Sequence, residues 1–184
     1  KNNCRPRRGY PEKSTKLTRY IVLSHAWITT ITEQEKLVEA LEVRVLANSK
    51  KHVDVGYITD VAYASQETRP GDQLLLDSVK NGIETLKKKY QKENNDLFFL
   101  FHRARKWNQQ ENVWMGHERK RGKLSDLNAL LRGNSTEHFS VITGNQSIFP
   151  KIKYVITLDA DTHLPLGSAW NLIGTMAHPL NRSW

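Results

Sequence analysis

The sequence predicts an α/β fold with a mostly parallel sheet. Three observations carry this. Segments of strand character and segments of helical periodicity alternate along the chain. Residues 97–101, Leu-Phe-Phe-Leu-Phe, form a short fully apolar run of the kind found at the centre of a parallel sheet. A length of 184 residues is enough for one such domain with a substantial core.

The elements follow in order. Residues 1–19 are polar and basic, with Pro6, Gly9 and Pro11 breaking any periodicity, and read as a linker or the remnant of a neighbouring region. Residues 20–23 form a short buried strand. Thr32 and Glu35 have the spacing of a capping box, and behind them Leu37, Val38, Leu41, Val45 and Leu46 recur at helical spacing. Val53, Val55 and Tyr57 alternate as a strand ending at Asp60. Pro70-Gly71 marks a turn, after which Leu75, Val79, Ile83, Leu86 and Tyr90 trace a second amphipathic helix. Residues 102–117 read as irregular and aromatic. Leu124, Leu127, Leu130 and Leu131 give a short helix stopped by Gly133. A strand at 153–158 and a helix at 166–176 close the pattern.

Composition bounds the function. At 38% hydrophobic and 26% charged the chain is globular in character. Its single cysteine, Cys4, excludes an internal disulfide and a cysteine-rich zinc site. The seven histidines lack zinc-ligand spacing. Residues 1–16 have no apolar core of a secretory signal. The net charge of +9 favours anionic partners: nucleic acid, an anionic membrane face or phosphorylated ligands. The cations cluster at Arg5/Arg7/Arg8, at Arg103/Arg105/Lys106 and at Arg119/Lys120/Arg121/Lys123.

Four groups of residues have chemical potential. At the end of the strand 153–158, Asp159 and Asp161 are two residues apart; in extended chain both carboxylates point to one side and can share a hard divalent cation. The same pattern suits a surface turn in which Asp161 or Thr162 caps the next helix. Gly122 and Lys123 lie among cations before a short helix, a place that favours a diphosphate and equally describes a solvated basic helix start. Asp60, at a strand end, can accept hydrogen bonds from a base or ribose, or serve as a turn residue. Trp107, Asn108 and Trp114 suit the lining of a sugar or base pocket, or the packing of a long loop.

Together these pieces resemble one family. The blocks are Leu37-Val-Glu-Ala-Leu-Glu-Val-Arg, Ile58-Thr-Asp60, Phe98-Phe-Leu-Phe-His-Arg, Arg105-Lys-Trp-Asn108, Val113-Trp-Met-Gly116, Glu118-Arg-Lys-Arg-Gly-Lys-Leu124, Leu127-Asn128, Tyr154-Val-Ile-Thr-Leu-Asp-Ala-Asp-Thr162 and Met176-Ala-His-Pro-Leu-Asn-Arg182. In this order, over residues 20–182, they are similar to the glycosyltransferase domain of cyclic β-1,2-glucan synthases. The resemblance implies a GT-A-like, Rossmann-like three-layer domain, incomplete at its C-terminal end, in which residues 20–184 are the nucleotide-sugar-binding half. It implies UDP-glucose as donor, Mg²⁺ or Mn²⁺ as cofactor, a glucan acceptor, and a parent synthase embedded in the bacterial inner membrane with this domain on the cytoplasmic face.

By the same resemblance Asp159 and Asp161 hold the metal and diphosphate, Asp159 reaching the ribose as an alternative, Asp60 contacts uracil or ribose, and Gly122 with Lys123 contacts the diphosphate. No catalytic residue falls within the chain; the base is expected beyond residue 184. One departure stands out. Ser24-His25-Ala26-Trp27 occupies the place of a Pro-Thr-Met-Leu-like loop that cradles the nucleotide in the family.

Two other classes compete. A nucleic-acid-binding module uses the charge and the aromatic-basic stretch 101–123 but leaves Asp159 and Asp161 without a role; the resemblance carries no expectation of nucleic acid. A non-catalytic interaction domain fits the altered residues 24–27.

Overall fold

A computed structural model describes residues 19–48, 53–90, 97–134 and 137–181. Strand β1 (Arg19–Ile28) leads into helix α1 (Ile31–Asn48), followed by β2 (Val53–Val61), α2 (Asp72–Lys89) and β3 (Phe98–Arg103). A short hairpin, β4 (Lys106–Asn108) and β5 (Val113–Met115), precedes α3 (Arg119–Leu131). Then come β6 (Val141–Thr143), a 3-10 turn (Gln146–Lys151), β7 (Ile152–Asp159), α4 (Ser168–Ala177) and a last 3-10 turn (Pro179–Asn181).

The main sheet has the order β6-β3-β2-β1-β7, with β1, β2, β3 and β7 parallel and β6 antiparallel to β3. Strands β1, β2 and β3 are covered on both faces, giving three layers, while β7 and β6 at the edges are only partly buried. On one face Val22, Val55, Leu100 and their neighbours pack against Leu41 and Val45 of α1, Val79 and Ile83 of α2, and Ile173 of α4. On the other, Leu23, Ile58, Phe99 and Phe101 pack against Leu127 and Leu130 of α3 and against Phe139, Ile148 and Phe149. The apolar run at 97–101 is buried, as is every residue of β3, but it is not at the centre of the sheet: β2 is the middle strand, and β3 is the last parallel strand, covered along its outer edge by β6.

Four elements differ from the sequence expectation. Strand β1 runs on through Ile28, so residues 24–27 are sheet and not loop; all four pair with β2, Ser24 and His25 pair with β7 as well, and Ser24 is fully buried. Helix α1 is capped by Thr30, whose Oγ1 accepts from Glu33 N at 3.3 Å, and not by Thr32. Thr30-x-x-Glu33 repeats the same pattern two residues earlier, and the end of β1 selects it. The stretch 102–117 contains the continuation of β3 and a hairpin. Helix α3 begins at Arg119, five residues before Leu124. Of the basic segment 1–19, only Arg19 is among the described residues; it opens β1 and its guanidinium holds buried Asp54 of β2.

The loop after β7 is fastened from α1. Arg44 Nη2 donates to the carbonyls of Ala160 and Thr162, each at 3.2 Å, while its Nη1 donates to Tyr57 Oη at 2.9 Å. One turn on, Gly167 N donates to Ala47 O at 3.0 Å and Ala169 N to Asn48 Oδ1 at 3.1 Å, so the side chain of Asn48 satisfies the start of α4. Asn48 and Ala169 are both buried, and Asn48→Ala should cost about 1–3 kcal/mol of stability, the range for leaving a buried donor unpaired. Urea denaturation checks this: the midpoint should fall while the slope stays constant.

Candidate functional site

The C-terminal ends of the four parallel strands lie along one edge of the sheet, where open α/β sheets bind ligands. In register, Asp60 of β2 lies opposite Trp27 of β1 and opposite Arg103 of β3, and His25 of β1 lies opposite Asp159 of β7. Alternation along the strands puts His25, Trp27, Asp60, Arg103 and Asp159 on the face that α3 covers. Asp60 and Asp159 are therefore brought to the same rim but separated by β1, two strand spacings or roughly 10 Å apart across the sheet.

The Asp60 half of the rim is closed. Arg103 grips the Asp60 carboxylate with two donors, Nε to Oδ1 at 2.9 Å and Nη2 to Oδ2 at 3.2 Å. The same guanidinium donates to Asp126 Oδ2 at 2.6 Å and to the carbonyls of His117 and Arg119 at 3.0 and 3.2 Å. Lys123 Nζ lies 3.0 Å from Asp60 Oδ2, in ion-pair range but outside hydrogen-bond geometry. Two cations and two carboxylates thus cancel in a pocket where Asp60, Arg103 and Lys123 are each no more than 3% exposed. Gly116 completes the enclosure, since a Cβ there would fall 2.4 Å from Asp60 Oδ2.

This arrangement places Lys123 differently from the sequence expectation. It is not at a helix start but inside α3, where it shares the inward stripe with Leu127 and Leu130 at i+4 and i+7. Burial lowers its pKa and the Asp60 charge opposes that shift. Gly122 is required by packing: the backbone enters α3 through left-handed Glu118 and Arg119, and a Cβ on Gly122 would meet His117 O at 2.1 Å.

The Asp159 half is open. Asp159 and Asp161 are both exposed, but they do not sit two residues apart on extended chain. Thr162 N donates to Asp159 O at 3.0 Å, so the backbone turns at 160–161. The cation facing this turn is Lys120, in the first turn of α3, with Nζ 2.5 Å from Asp159 Oδ1. That hydrogen bond and charge hold the Asp159 carboxyl below its ordinary pKa. Between the halves stands half-buried His25, whose pKa is lowered by burial and then by the charges of Lys123 and Lys120.

Beyond His25, Trp27 is 43% exposed and leans on Tyr63, with ring centroids 5.3 Å apart. The Arg119 guanidinium lies over the Tyr63 ring, 5.6 Å from its centroid. None of Lys120, His25, Trp27, Tyr63 and Arg103 was given a role of its own from the sequence: Lys120 and Arg103 appeared only within basic clusters, His25 and Trp27 only at the place of the nucleotide loop, and Tyr63 not at all; for His25 and Trp27 the signal is their position at the C-terminal end of β1. Trp107 and Trp114 pack against each other across the hairpin, tilted by 58° with centroids 5.9 Å apart, and Asn108 caps its turn by accepting from Gln110 N.

Among the described residues no three or more His, Cys, Asp or Glu side chains converge to hold a metal unaided. The donor set at the open half, two exposed carboxylates, suits an ion that shares its coordination with phosphates, the usual habit of Mg²⁺.

The fold and rim define an α/β domain whose strand C-terminal edge carries an exposed acidic turn and a basic helix start. No protein-family model matches the chain. It is 37% identical over 174 residues to the cyclic beta-(1,2)-glucan synthase NdvB of Rhizobium meliloti (strain 1021). The chain is homologous to a segment of that synthase, as the motif resemblance expects. The match covers 95% of this chain and 6% of the relative, so the chain spans a small part of the length of the protein it matches. No helix among the described residues is long and apolar enough to cross a membrane.

Two predictions follow from the closed half. Arg103→Met leaves Asp60 and Asp126 without their shared partner and should destabilise the fold by about 3–5 kcal/mol, the range for breaking a buried pair on one side; chemical denaturation reads this directly. His102, buried on β3 and hydrogen-bonded to Thr59 Oγ1 at 2.9 Å, has its pKa pushed from 6.5 down to about 4, chiefly by burial. The unfolded chain takes up this proton near pH 6.5 while the folded one resists until about pH 4, so the histidine's contribution to stability is lost as pH falls through that window. Stability measured against pH should show a shallower fall there in His102→Gln than in the parent.

Proposed function

We propose that the chain is the donor-binding part of a glycosyltransferase domain that takes UDP-glucose for β-1,2-glucan synthesis. The single observation that carries this reading is the meeting of Lys120 with Asp159 at the open strand edge, in a chain homologous to a segment of a cyclic β-glucan synthase. A lysine and a carboxylate turn side by side fit a diphosphate that arrives with a divalent cation. Asp161 and Asp159 would hold Mg²⁺ or Mn²⁺ together with phosphate oxygens, and the ion would supply charge neutralisation for the departing diphosphate.

The chain's own residues have distinct tasks in this reading. Lys120, Nζ 44% exposed at the side chain, exchanges Asp159 for a phosphate oxygen and so takes the diphosphate role first expected of Lys123. Arg44 holds the carbonyls on either side of Asp161 and keeps the acidic turn in place. His25, kept neutral by burial and neighbouring cations, adds a polar contact without adding charge. The parent protein's glucan acceptor and its membrane-embedded remainder on the cytoplasmic face belong to the same proposal.

The burial of Arg103 and Arg105 weakens the nucleic-acid alternative. Arg105 donates to Ala62 O at 2.6 Å and grips Asp72, so two cations of the middle basic cluster are spent inside the fold.

Calorimetric titration with UDP-glucose and UDP, with and without Mn²⁺, tests the proposal. Saturation that depends on the metal is expected, and its absence in a folded sample overturns the reading. Asp161→Asn should weaken the metal-dependent binding and spare the fold. Lys120→Ala should weaken UDP by roughly tenfold or more and leave uridine unaffected, as expected for loss of one charge-assisted hydrogen bond. Equal losses for UDP and uridine would remove Lys120 from the diphosphate.

A further inference from the structure

The two edges of the main sheet are unlike. Strand β6 offers only three residues before Gly144, in keeping with the short edges by which sheets avoid pairing with other chains. Strand β7 offers eight, with no proline or glycine among them. Among the described residues nothing pairs with its outer side. Its one irregularity is a register shift against Arg19/Tyr20 at its start. Tyr154, Val155, Ile156 and Leu158 pack against the core yet stay half-buried. Tyr154 Oη donates to Met176 O at 3.4 Å, which sets the end of α4 beside this strand. Leu172 and Met176 of α4, and Leu180 of the 3-10 turn that follows, are 47%, 55% and 88% exposed, although Ala169 and Ile173 of the same helix are buried. A long regular edge with uncovered apolar side chains beside it is a template for one more strand.

We propose that the added strand is β7 of a second copy of this chain, antiparallel to the first about a two-fold axis at Ile156, so that two five-stranded sheets become one. The charge pattern of the strand selects both this occupant and this register. Opposed residues of an antiparallel pair share a face, and a two-fold axis normal to the sheet sets one residue opposite its own copy. With Ile156 in that place, Lys153 of each copy lies opposite Asp159 of the other, so opposite charges close both ends of the seam. Between them Tyr154 lies opposite Leu158, and Val155 opposite Thr157. Neighbouring registers lose this match. An axis at Val155 sets Lys153 opposite Thr157, and only Lys151, outside the strand, comes opposite Asp159. An axis at Thr157 sets Asp159 opposite Val155, and only Asp161, in the turn, comes opposite Lys153. Lys153 and Asp159 are both exposed and can meet their counterparts. Lys120 takes Oδ1 of Asp159, and a carboxylate has further acceptor positions, so a second lysine joins the pair without displacing the first. The exposed apolar groups of α4 flank the seam and gain cover from it.

Sedimentation equilibrium of the 184-residue chain tests this at physiological ionic strength, where a Debye length of about 8 Å screens the net charge of +9 on each copy. The samples hold neither nucleotide nor divalent ion, so the outcome is separate from that of the donor-binding reading. The parent should pass from monomer to dimer across the micromolar range. Amide hydrogen exchange at residues 153–159 should slow as the dimer forms, while exchange in β6 stays constant. Lys153→Glu sets carboxylates opposite each other at both ends of the seam and should raise the dimer Kd roughly tenfold or more; Asp159→Lys should do the same with two ammonium groups. An equimolar mixture of these two variants should return to within about threefold of the parent's Kd, because opposite charges meet again at both ends. Met176→Glu should weaken the dimer with the charge pairs intact. Circular dichroism reports whether each variant is folded. A parent that stays monomeric into the millimolar range would overturn the proposal and leave the edge to some other strand. A dimer that protects amides elsewhere, or that forms as well in both charge variants as in the parent, would also overturn it. So would a mixture of the folded variants that associates no more tightly than either alone.

Discussion

The structure depends on one guanidinium. Arg103 ends the buried strand β3, and its donors reach β2 through Asp60, α3 through Asp126 and the carbonyl of Arg119, and the α3 entry through the carbonyl of His117. Few other side chains could join four segments, because only a planar fork of five N–H groups can meet two carboxylates and two carbonyls at once. The contacts are charge-assisted and buried, so each is strong and each loss leaves another charge exposed to a low dielectric. Lys123 adds a second cation on Asp60, and Asp126 balances it. The first turn of α3, with Arg119 and Lys120, is set against the sheet edge by this clasp.

The clasp also divides the rim. Charges on the β2–β3 side satisfy one another and are sealed by Gly116 and the helix. Charges on the β1–β7 side face outward, with Lys120 and Asp159 paired across solvent. Exposed pairs of this kind contribute little to stability and exchange partners readily. That difference suits a division of labour in which the closed half builds the domain and the open half meets the ligand. Arg44 does for the open half what Arg103 does for the closed one, holding a loop by its carbonyls so that the acidic side chains remain outward.

Much of the fold was legible in the residues. The run 97–101 is buried because nothing in it can face water, although β2 and not β3 takes the middle of the sheet, and the periodicity of Leu75, Val79, Ile83 and Leu86 yields α2 because those residues share one side of a helix. Asp159 was legible as an exposed residue at a strand end because it follows an apolar strand. Lys123 and Asp60 were legible as a pair of interest but not in their relation. Their spacing of 63 residues carries no hint that they lie 3.0 Å apart and buried. Lys120 was hidden among equivalent cations, where only the direction of the helix tells which one reaches the sheet edge. Trp27 was expected at a loop because the resembling family has one at that place, whereas here the pairing of β1 with β2 carries the strand on through Ile28.

The sequence by itself determined the alternation of strands and helices, the apolar centre and the likeness to a cyclic glucan synthase segment, since periodicity and ordered motifs are local properties of the chain. Tertiary structure alone decided which charges are buried and which are open. Burial of a charge depends on whether a partner from another element arrives with matching geometry, and that is fixed by the register of β1, β2, β3 and β7 and by the angle at which α3 crosses them. The same residue types, arginine, lysine and aspartate, therefore serve as internal clasp on one half of the rim and as solvent-facing groups on the other.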